Sequence, residues 1–400
     1  MTALVLVVNA GSSSLKYSLV DADTGEALAS GLVEQIGEAG GSLTHRGPSG
    51  RHREDRACAD HDDAMRAALD AFATHGPSLG DVGIRAVGHR VVHGGPRFSS
   101  PVLVDDGLVA AVTDLVPLAP LHNPANLDGI ATARRLFPNL PQVAVFDTAF
   151  HQTLPEHAYT YAVPLAWREE HQIRRYGFHG TSVAFVTRAA AAHLGRKVED
   201  VNLVVLHLGN GASVTAVEGG RSVETSMGLT PLEGLVMGTR SGDLDPAVHA
   251  HLHRQLGWSL AEIDADLNRR SGLRGLSGHN DFRTVTELRA AGDTSAALAF
   301  DVTCHRIRKY VGAYYAVLGR VDAVVFTAGV GENSAALRAA CLAGLERLGI
   351  EVDPERNAAR SSTPATVSPD HGDVAVLVVP TNEEWEIAQQ TMAVVDGVVD

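Results

Sequence analysis

The chain has 400 residues, of which 45% are hydrophobic and 40 are glycine, a composition typical of an α/β protein with one large domain or two smaller ones. Its formal charge of −14 argues against general nucleic-acid binding, so an anionic ligand would need locally placed arginines. Three cysteines without metal-ligand spacing favour a reduced, cytoplasmic protein. The N-terminal aliphatic run is too short to span a membrane and lacks signal-peptide flanks, which predicts a buried strand and no membrane association.

Two segments of the chain share one pattern. Residues 4–30 form an aliphatic strand, a Gly-Ser turn, an alternating strand, a second turn and another strand. Residues 203–226 repeat this order, and Gly11 and Gly211 take matching places in the first turn of each segment. The repeat predicts two duplicated domains, each beginning with a hairpin.

The rest of the chain alternates between predicted strands and helices. Residues 37–63 are predicted as hairpin and loop. Helical spacing occurs at 61–76, 124–137 and 181–195, and a long, largely buried helix is expected at 293–319. Residues 321–349 predict a strand, a glycine turn and a helix, and residues 373–395 a strand followed by a helix. Such alternation in both halves predicts α/β domains with mixed sheets.

The glycine-containing turns suggest phosphate binding. Residues 9–16 are not a Walker A loop, because no Gly-Lys-Ser/Thr opens a helix. Ser13 and Lys16 form an S-x-x-K pair, but in serine acyltransferring enzymes that motif lies on a helix and has companion motifs that this chain lacks. Backbone N–H groups in such turns bind anions, although an ordinary glycine turn is the alternative. AGVGEN, residues 328–333, lies between a strand and a helix that Ser334 is predicted to cap, a suitable place for a nucleotide.

Two arginines and an aspartate lie near these turns. Arg90 in GHRVVHGG and Arg240 in GTRSGDLDP are predicted in loops, where they are either plain surface residues or clamps for carboxylate and phosphate. Asp147 follows a predicted strand in VFDTAFH and is either a strand-end cap or a catalytic acid, a choice that its position alone leaves open.

The histidines are weaker signals. His179 in RYGFHGTS stands just before a predicted helix, where a satisfied core histidine is the usual alternative to a functional one. His249 and His253 share one predicted helical face that Pro246 opens, but no carboxylate pattern accompanies them, which argues against zinc.

Nine motifs in sequence order resemble the acetokinase family, which includes acetate, propionate and butyrate kinases: NAGSSSLKY, GHRVVHGG, PLAPLHNP, VFDTAFH, YGFHGTS, HLGNGAS, GLVMGTRSGDLDP, TAGVGENS and PTNEE. The family belongs to the superfamily of acetate and sugar kinases, heat-shock proteins and actin. The resemblance implies two duplicated actin-like (ribonuclease H-like) α/β domains with mixed sheets and an ATP cleft between them. The implied bounds are 1–149 plus a C-terminal helix at about 385–400 for the acyl-substrate domain, and 150–384 for the nucleotide-binding domain.

The resemblance also implies a role for individual residues. Asn9 and Glu383 would hold Mg²⁺, with Mn²⁺ as a substitute. The implied catalytic residues are Arg90, Asp147, His179 and Arg240, with Arg90 also binding substrate. The implied acyl pocket comprises Val92, Leu121, His122, Phe178 and Pro231. The implied ATP-binding residues are Lys16, His207, Leu208, Gly209, Asn210, Gly211, Asp281, Phe282, Arg283, Gly329, Val330, Gly331, Glu332 and Asn333.

The implied reaction transfers a phosphoryl group from ATP to acetate, giving acetyl phosphate and ADP, and the implied assembly is a homodimer. Because a carboxylic acid with a pKa of about 4 to 5 is ionised at neutral pH, no general base is needed. Asp147 is therefore expected to position magnesium or an arginine. Alternatives are a propionate or butyrate kinase, or a non-catalytic actin-like ATP-binding module, which would need no carboxylate clamp.

Overall fold

The computed structural model describes residues 3–398, and the chain folds into two compact units. Unit 1 contains the chain up to Gln152 and the segment from Asn382 onward, and unit 2 is Thr153–Thr381. Residues 1, 2, 399 and 400, which the predicted domain bounds include, lie outside the described residues.

Unit 1 is built on an eight-stranded mixed sheet in the order β5-β4-β3-β2-β1-β6-β8-β7. Strands β1 to β5 are an antiparallel meander, β6 and β8 run parallel to β1, and β7 is antiparallel to β8. The strands are β1 Leu4–Gly11, β2 Ser14–Asp21, β3 Ala27–Glu34, β4 Ser42–Gly47, β5 Gly50–Asp55, β6 Ala86–Val91, β7 Val102–Leu103 and β8 Gln142–Phe146.

Helices cover both faces of this sheet: α1 His61–His75, α2 Asp106–Asp114, α3 Asn123–Leu136 and the C-terminal helix, α15 Glu383–Val395. Successive side chains of a strand point to opposite faces. Leu4, Leu6 and Val8 pack with α1, whereas Val5 and Val7 pack with α15. Because both faces are buried, the first strand is a continuous aliphatic run.

Unit 2 repeats this arrangement in a six-stranded sheet with the order β11-β10-β9-β12-β14-β13. Here three antiparallel strands, in place of the five of unit 1, are followed by two parallel strands and a short antiparallel edge strand. The strands are β9 Asn202–Leu208, β10 Ala212–Glu218, β11 Arg221–Thr225, β12 Ala323–Thr327, β13 Ala365–Thr366 and β14 Ala375–Val378. The common strand order confirms the predicted duplicated α/β fold.

The helices of unit 2 are α4 Glu156–Tyr159, α5 Leu165–His171, α6 Gly180–His193, α7 Ala247–Leu256, α8 Leu260–Arg269, α9 Gly272–Ser277, α10 Phe282–Ala290, α11 Thr294–Leu318, α12 Ala328–Asn333, α13 Ala335–Leu342 and α14 Pro354–Ala358. Helices α6, α11 and α12 pack on the sheet of this unit. The predicted long helix is α11, which is capped by Asp293 and packs on β10. Its predicted burial is wrong: one face is buried and the other, with Leu298 and Val317, is exposed, because only one side packs on the rest of unit 2. Among the helices of residues 3–398, none has the length and apolar character needed to cross a membrane.

Three local predictions need comment. Residues 328–333 were predicted as a glycine turn, which is wrong: they form α12, beginning directly after β12 with Ala328 at φ 64°. Arg90 was predicted in a loop, which is also wrong, because pairing with β1 and β8 on either side keeps this part of the chain in strand β6. Residues 37–63 contain the β4–β5 hairpin and the start of α1.

A buried histidine in unit 1 predicts how stability depends on pH. His89 is joined to Gln142 Oε1 at 2.9 Å, and burial lowers its pKa from 6.5 to about 4. Between these values the unfolded chain binds a proton that the folded chain excludes, so stability falls as pH drops through this window. From pH 7 to 5 the free energy of unfolding should lose about 2 kcal/mol through this group.

Urea unfolding followed by circular dichroism at pH 7 and pH 5 measures this loss. His89→Gln keeps an amide donor for Gln142 but does not titrate, so its loss of stability should be smaller by about 2 kcal/mol. An equal loss in both proteins would contradict the assignment.

Candidate functional site

One group of polar residues lies at the carboxyl ends of the parallel strands of unit 1. Asn9 is on β1, Arg90 is on β6, and Asp147 directly follows β8. Since β1, β6 and β8 are parallel neighbours, their carboxyl ends meet at one edge of the sheet. Arg90 Nε donates to Asp147 Oδ1 at 3.0 Å, its Nη2 donates to Oδ2, and its Nη1 donates to Asn9 Oδ1 at 3.3 Å.

The pairing of Arg90 with Asp147 is bidentate and largely buried. Burial opposes the charged guanidinium, but Asp147 and the nearby Glu383 outweigh it and raise the pKa of Arg90 above its ordinary value. A fork-to-fork pair fixes orientation as well as charge. Asp147 therefore holds the guanidinium of Arg90 in one direction at this sheet edge.

Lys16 belongs to the same neighbourhood. It pairs with Asn9 in the β1–β2 register, and its Nζ forms an ion pair with Glu384 at the start of α15. About half of the Lys16 side chain is exposed, so this pair is weak and screened by solvent. Lys16 was predicted to approach nucleotide phosphates. In this structure its charged group contacts Glu384, and the weakness of that pair leaves Lys16 able to exchange it for another anion.

The implied magnesium ligands lie near each other. Asn9 and Glu383 line one small cavity of unit 1 together with Lys16 and Arg90. One amide oxygen and one carboxylate are a donor set that fits Mg²⁺, which takes one or two protein ligands and completes its shell with phosphate oxygens and water. A site made by protein alone would need more ligands, and no cluster of three or more His, Cys, Asp or Glu suited to a metal occurs in residues 3–398.

In unit 2, the side chains of His179 and Arg240 both approach Gly211 in the β9–β10 turn. We call these three residues the Gly211 corner. A β-carbon added at Gly211 would lie 3.3 Å from His179 Nε2 and 3.6 Å from Arg240 Nη2. His179 caps α6 in a left-handed backbone conformation with φ 60°, which few residues other than glycine adopt. This uncommon conformation directs the imidazole toward the turn.

Arg240 has an unusual environment for a charged side chain. Its Nη1 donates to the Pro231 carbonyl oxygen at 2.7 Å and contacts Met237 Sδ at 3.5 Å. Within residues 3–398 the guanidinium forms no ion pair, and burial lowers its pKa from the ordinary value. A desolvated cation without a carboxylate is a strong site for an anionic ligand.

A groove of about 740 Å³ adjoins this corner. The three segments that the resemblance assigns to ATP all line it: the β9–β10 turn, the start of α10, and α12. Their residues in the groove wall are Gly209, Asn210, Asp281, Phe282, Arg283, Gly329, Val330 and Asn333. Asp281 caps α10 by accepting from the backbone N–H groups of Arg283 and Thr284. The structure thus collects three distant segments around one groove.

The position of α12 depends on a residue that the sequence did not single out. Arg338 is buried, and its Nη1 donates to the carbonyl oxygens of Gly331 and Glu332, at the end of α12. Its Nε and Nη2 donate to Asn357. Arg338 thereby satisfies carbonyl groups that a six-residue helix would otherwise leave unpaired.

The residues of the implied acyl pocket are divided between the units. In unit 1, Val92 is buried, and its backbone N–H donates to Asn126 Oδ1. Leu121 is half-exposed, and His122 directly precedes α3. In unit 2, Phe178 is buried next to His179, and Pro231 contacts Arg240. Their common role as one pocket stays a prediction.

Two serines of the site were also missed by the sequence analysis. Ser182 and Ser213 form hydrogen bonds with His207 and His179, respectively. Both stand in quoted motifs, FHGTS and GNGAS, so their nearness in sequence to His179 and Gly211 was the available signal. By contrast, His249 and His253 on α7 form hydrogen bonds with the backbone carbonyls of Pro246 and Trp258.

Two duplicated α/β units, with a cationic corner beside a groove in one and an arginine-aspartate pair at the sheet edge of the other, fit a protein of the phosphoryl-transfer class. The sequence matches the acetokinase family over residues 4–389, and the chain belongs to that family.

Similar proteins include the acetate kinase of Leifsonia xyli subsp. xyli, which is 59% identical with 98% of each chain covered. The acetate kinase of Streptomyces griseus is also 59% identical, over 98% of this chain and 96% of its own. Among solved structures, the acetate kinase of Porphyromonas gingivalis has a TM-score of 0.93 at 42% identity, over 98% of this chain and all of its own. A propionate kinase of Francisella tularensis has a TM-score of 0.92 at 42% identity, over 97% of this chain and 98% of its own.

Proposed function

We propose that this chain is an ATP-dependent acetate kinase that converts acetate and ATP reversibly into acetyl phosphate and ADP. The observation that carries the proposal is the Gly211 corner, where the partly buried guanidinium of Arg240 and the imidazole of His179 lie beside the β9–β10 turn. A carboxyl-group acceptor is supported by the fixed orientation of Arg90, which suits it to bind a second anion.

Charge compensation is the main task of such a site, because a carboxylate must attack an anionic phosphate. In the proposed reaction Arg90 orients the carboxylate, and Arg240 and His179 stabilise the equatorial oxygens of the transferring phosphoryl group. The bidentate contact of Asp147 with Arg90 supports a positioning role for this carboxylate rather than proton abstraction. Direct in-line transfer needs no further nucleophile from the protein.

Asn9 and Glu383 are proposed to hold Mg²⁺, which offsets phosphate charge when bound. Substituting either residue, as in Asn9→Ala or Glu383→Gln, should raise the Mg²⁺ concentration needed for half-maximal activity by about tenfold or more, since each removes one of two protein ligands. A magnesium titration of activity measures the change, with Glu34→Gln on the exposed end of β3 as a control that should behave as wild type. Unchanged titrations for both ligand variants would refute the site.

The proposed function is tested by trapping acyl phosphate as its hydroxamate after incubation with ATP and Mg²⁺. Acetate, propionate and butyrate are compared at equal concentration. Product with acetate as the best acid supports the proposal. Folded protein that yields no hydroxamate with any of the three acids would overturn it, and a clear preference for propionate or butyrate would favour the other kinases of the family.

The alternative acid deserves its own test, because the likeness to a propionate kinase structure equals that to an acetate kinase structure in identity. Val92, Leu121, Phe178 and Pro231 would form a small pocket for the methyl group, so acetate should be preferred over propionate and propionate over butyrate. One methylene changes the preference by only about 1 to 3 kcal/mol, so propionate should remain a substrate.

Val92→Ala should enlarge this pocket and shift the ratio of kcat/KM values toward propionate. The measurement is kcat/KM for both acids in wild type and variant. Val102→Ala on the edge strand β7, which is half-buried and outside the proposed pocket, is a matched control. If Val92→Ala leaves the ratio unchanged, the pocket assignment is wrong.

Two further properties rest on the family resemblance. We propose a homodimer and a cytoplasmic location, both as for the family. Sedimentation analysis of the purified chain at micromolar concentration tests the first, and a monomer under those conditions would contradict it.

A further inference from the structure

Two histidines of unit 2 lie face to face beside the β9–β10 turn. The ring centroids of His179 and His207 are 4.1 Å apart, and their planes differ by 19°. Each ring is joined through Nδ1 to a serine hydroxyl: His179 to Ser213 at 2.9 Å and His207 to Ser182 at 2.8 Å. Both serines are fully buried, so these contacts are shielded from competing water.

The other ring nitrogen of each histidine lies toward the turn. His179 Nε2 is 3.3 Å from the position of a β-carbon added at Gly211, and His207 Nε2 is 3.9 Å from that of a β-carbon added at Gly209. The two rings therefore have a common arrangement, with Nδ1 on a buried serine and Nε2 beside a glycine of the same turn.

We propose that Ser182 and Ser213 are positioning residues that donate to Nδ1 and so keep both imidazoles protonated on Nε2. A neutral imidazole carries one N–H, and a donor at Nδ1 requires that this hydrogen be on Nε2. Both rings then present N–H donors to phosphate oxygens at the turn. The opposite tautomer would direct a lone pair at anionic oxygens, which is repulsive. This inference rests on the proposed phosphoryl transfer.

A hydrogen-bond chain extends from one serine to the nucleotide groove. Ser182 Oγ is 2.8 Å from Thr381 Oγ1, and the backbone N–H of Thr381 donates to Glu332 Oε1 at 3.1 Å. Glu332 belongs to α12, which lines the groove. If Thr381 donates to Ser182, the single hydroxyl hydrogen of Ser182 goes to His207. This order links the His207 tautomer to the position of the nucleotide-binding helix.

The tautomers are measured directly by NMR of protein with ¹⁵N-labelled histidine at pH 8, without substrates. His179→Gln and His207→Gln assign the signals. Both rings in wild type should show a protonated Nε2 and an unprotonated Nδ1. Ser213→Ala should change the His179 signals and Ser182→Ala those of His207, toward a mixture of tautomers. Wild-type rings protonated on Nδ1, or unchanged signals in both serine variants, would overturn the proposal.

Kinetics give a second readout. Ser182→Ala and Ser213→Ala should each lower kcat by about tenfold or more, while KM for acetate changes little. In the wrong tautomer the imidazole loses its Nε2–H hydrogen bond to an anionic phosphate oxygen, and a lost hydrogen bond to a charged group has an effect of this size. Ser213→Thr keeps a hydroxyl group at this position of β10, so this variant should have most of the wild-type kcat. A loss of kcat that Ser213→Thr does not recover, or a rise in KM for acetate that accounts for the loss, would contradict a positioning role.

Matched controls separate this role from loss of packing. Thr215→Val lies on the same strand and face as Ser213 and removes a buried hydroxyl that bonds Thr225 rather than a histidine. Thr187→Val lies on α6 with Ser182 and removes a buried hydroxyl that has no hydrogen-bond partner among residues 3–398. Both should keep wild-type rates and histidine signals. If no acyl phosphate forms at all, the proposed function fails, whereas the NMR result still decides the tautomers.

Discussion

Arg240→Ala is expected to lower kcat for acyl phosphate formation by about 10²- to 10³-fold, the cost of removing one group that stabilises developing charge in a transition state. The guanidinium is partly buried, forms no ion pair within the described part of the chain, and lies beside His179 at the Gly211 turn. Its strongest interaction is therefore expected with the transferring phosphoryl group. Arg240→Lys should recover only part of the rate, because an ammonium lacks the planar fork.

The dissociation constant for ATP, measured by calorimetry, should change little in Arg240→Ala. Arg270→Ala is the matched control, since Arg270 is an exposed arginine of the same unit that pairs with Asp266. It should behave as wild type in both measurements. A loss of ATP affinity as large as the loss of rate would place Arg240 on the nucleotide rather than on the reacting group.

Arg90→Ala is expected to reduce turnover by a similar factor, about 10²- to 10³-fold, with ATP affinity retained and KM for acetate raised. It should also destabilise unit 1 by about 3 to 5 kcal/mol, because the substitution breaks the bidentate ion pair between Arg90 and the buried Asp147. The two effects have different causes and are separable by a second substitution.

The double variant Arg90→Ala/Asp147→Ala removes both partners of the buried pair, so most of the lost stability should return while activity stays low. Stability is measured by urea unfolding and activity by steady-state kinetics, each on the wild type, Arg90→Ala and the double variant. Recovery of activity together with stability would show that Arg90 acts only through folding. Arg85→Ala, at an exposed ion pair with Asp396, is a control that should change neither quantity.

Much of the fold was predictable from local pattern. The strand LVLVV, the helix at 61–75 and the long helix at 294–318 were predicted from hydrophobic spacing alone. The two hairpins were visible because turn residues separate alternating segments in the same order twice. These features depend on interactions between near neighbours in the chain, which a single sequence contains.

The ends of elements were less predictable. Residues 328–333 read as a glycine turn, since two glycines weaken a helix by propensity. In the fold they are helical because Arg338, from the following helix, accommodates their carbonyl groups. Arg90 was expected in a loop because glycines surround it, yet its neighbours in the sheet keep it in a strand.

The sequence by itself determined the order of the principal strands and long helices, the duplication, and the motifs that contain the candidate residues. Only the tertiary structure decided which of those residues meet: Arg90 with Asp147, Lys16 with Glu384, and His207 with Ser182. The physical reason is that such contacts depend on strand order and register, which bring distant segments to one sheet edge or one turn. Periodicity within a segment contains no information about that order, so the partners of each charged group appear only in the folded chain.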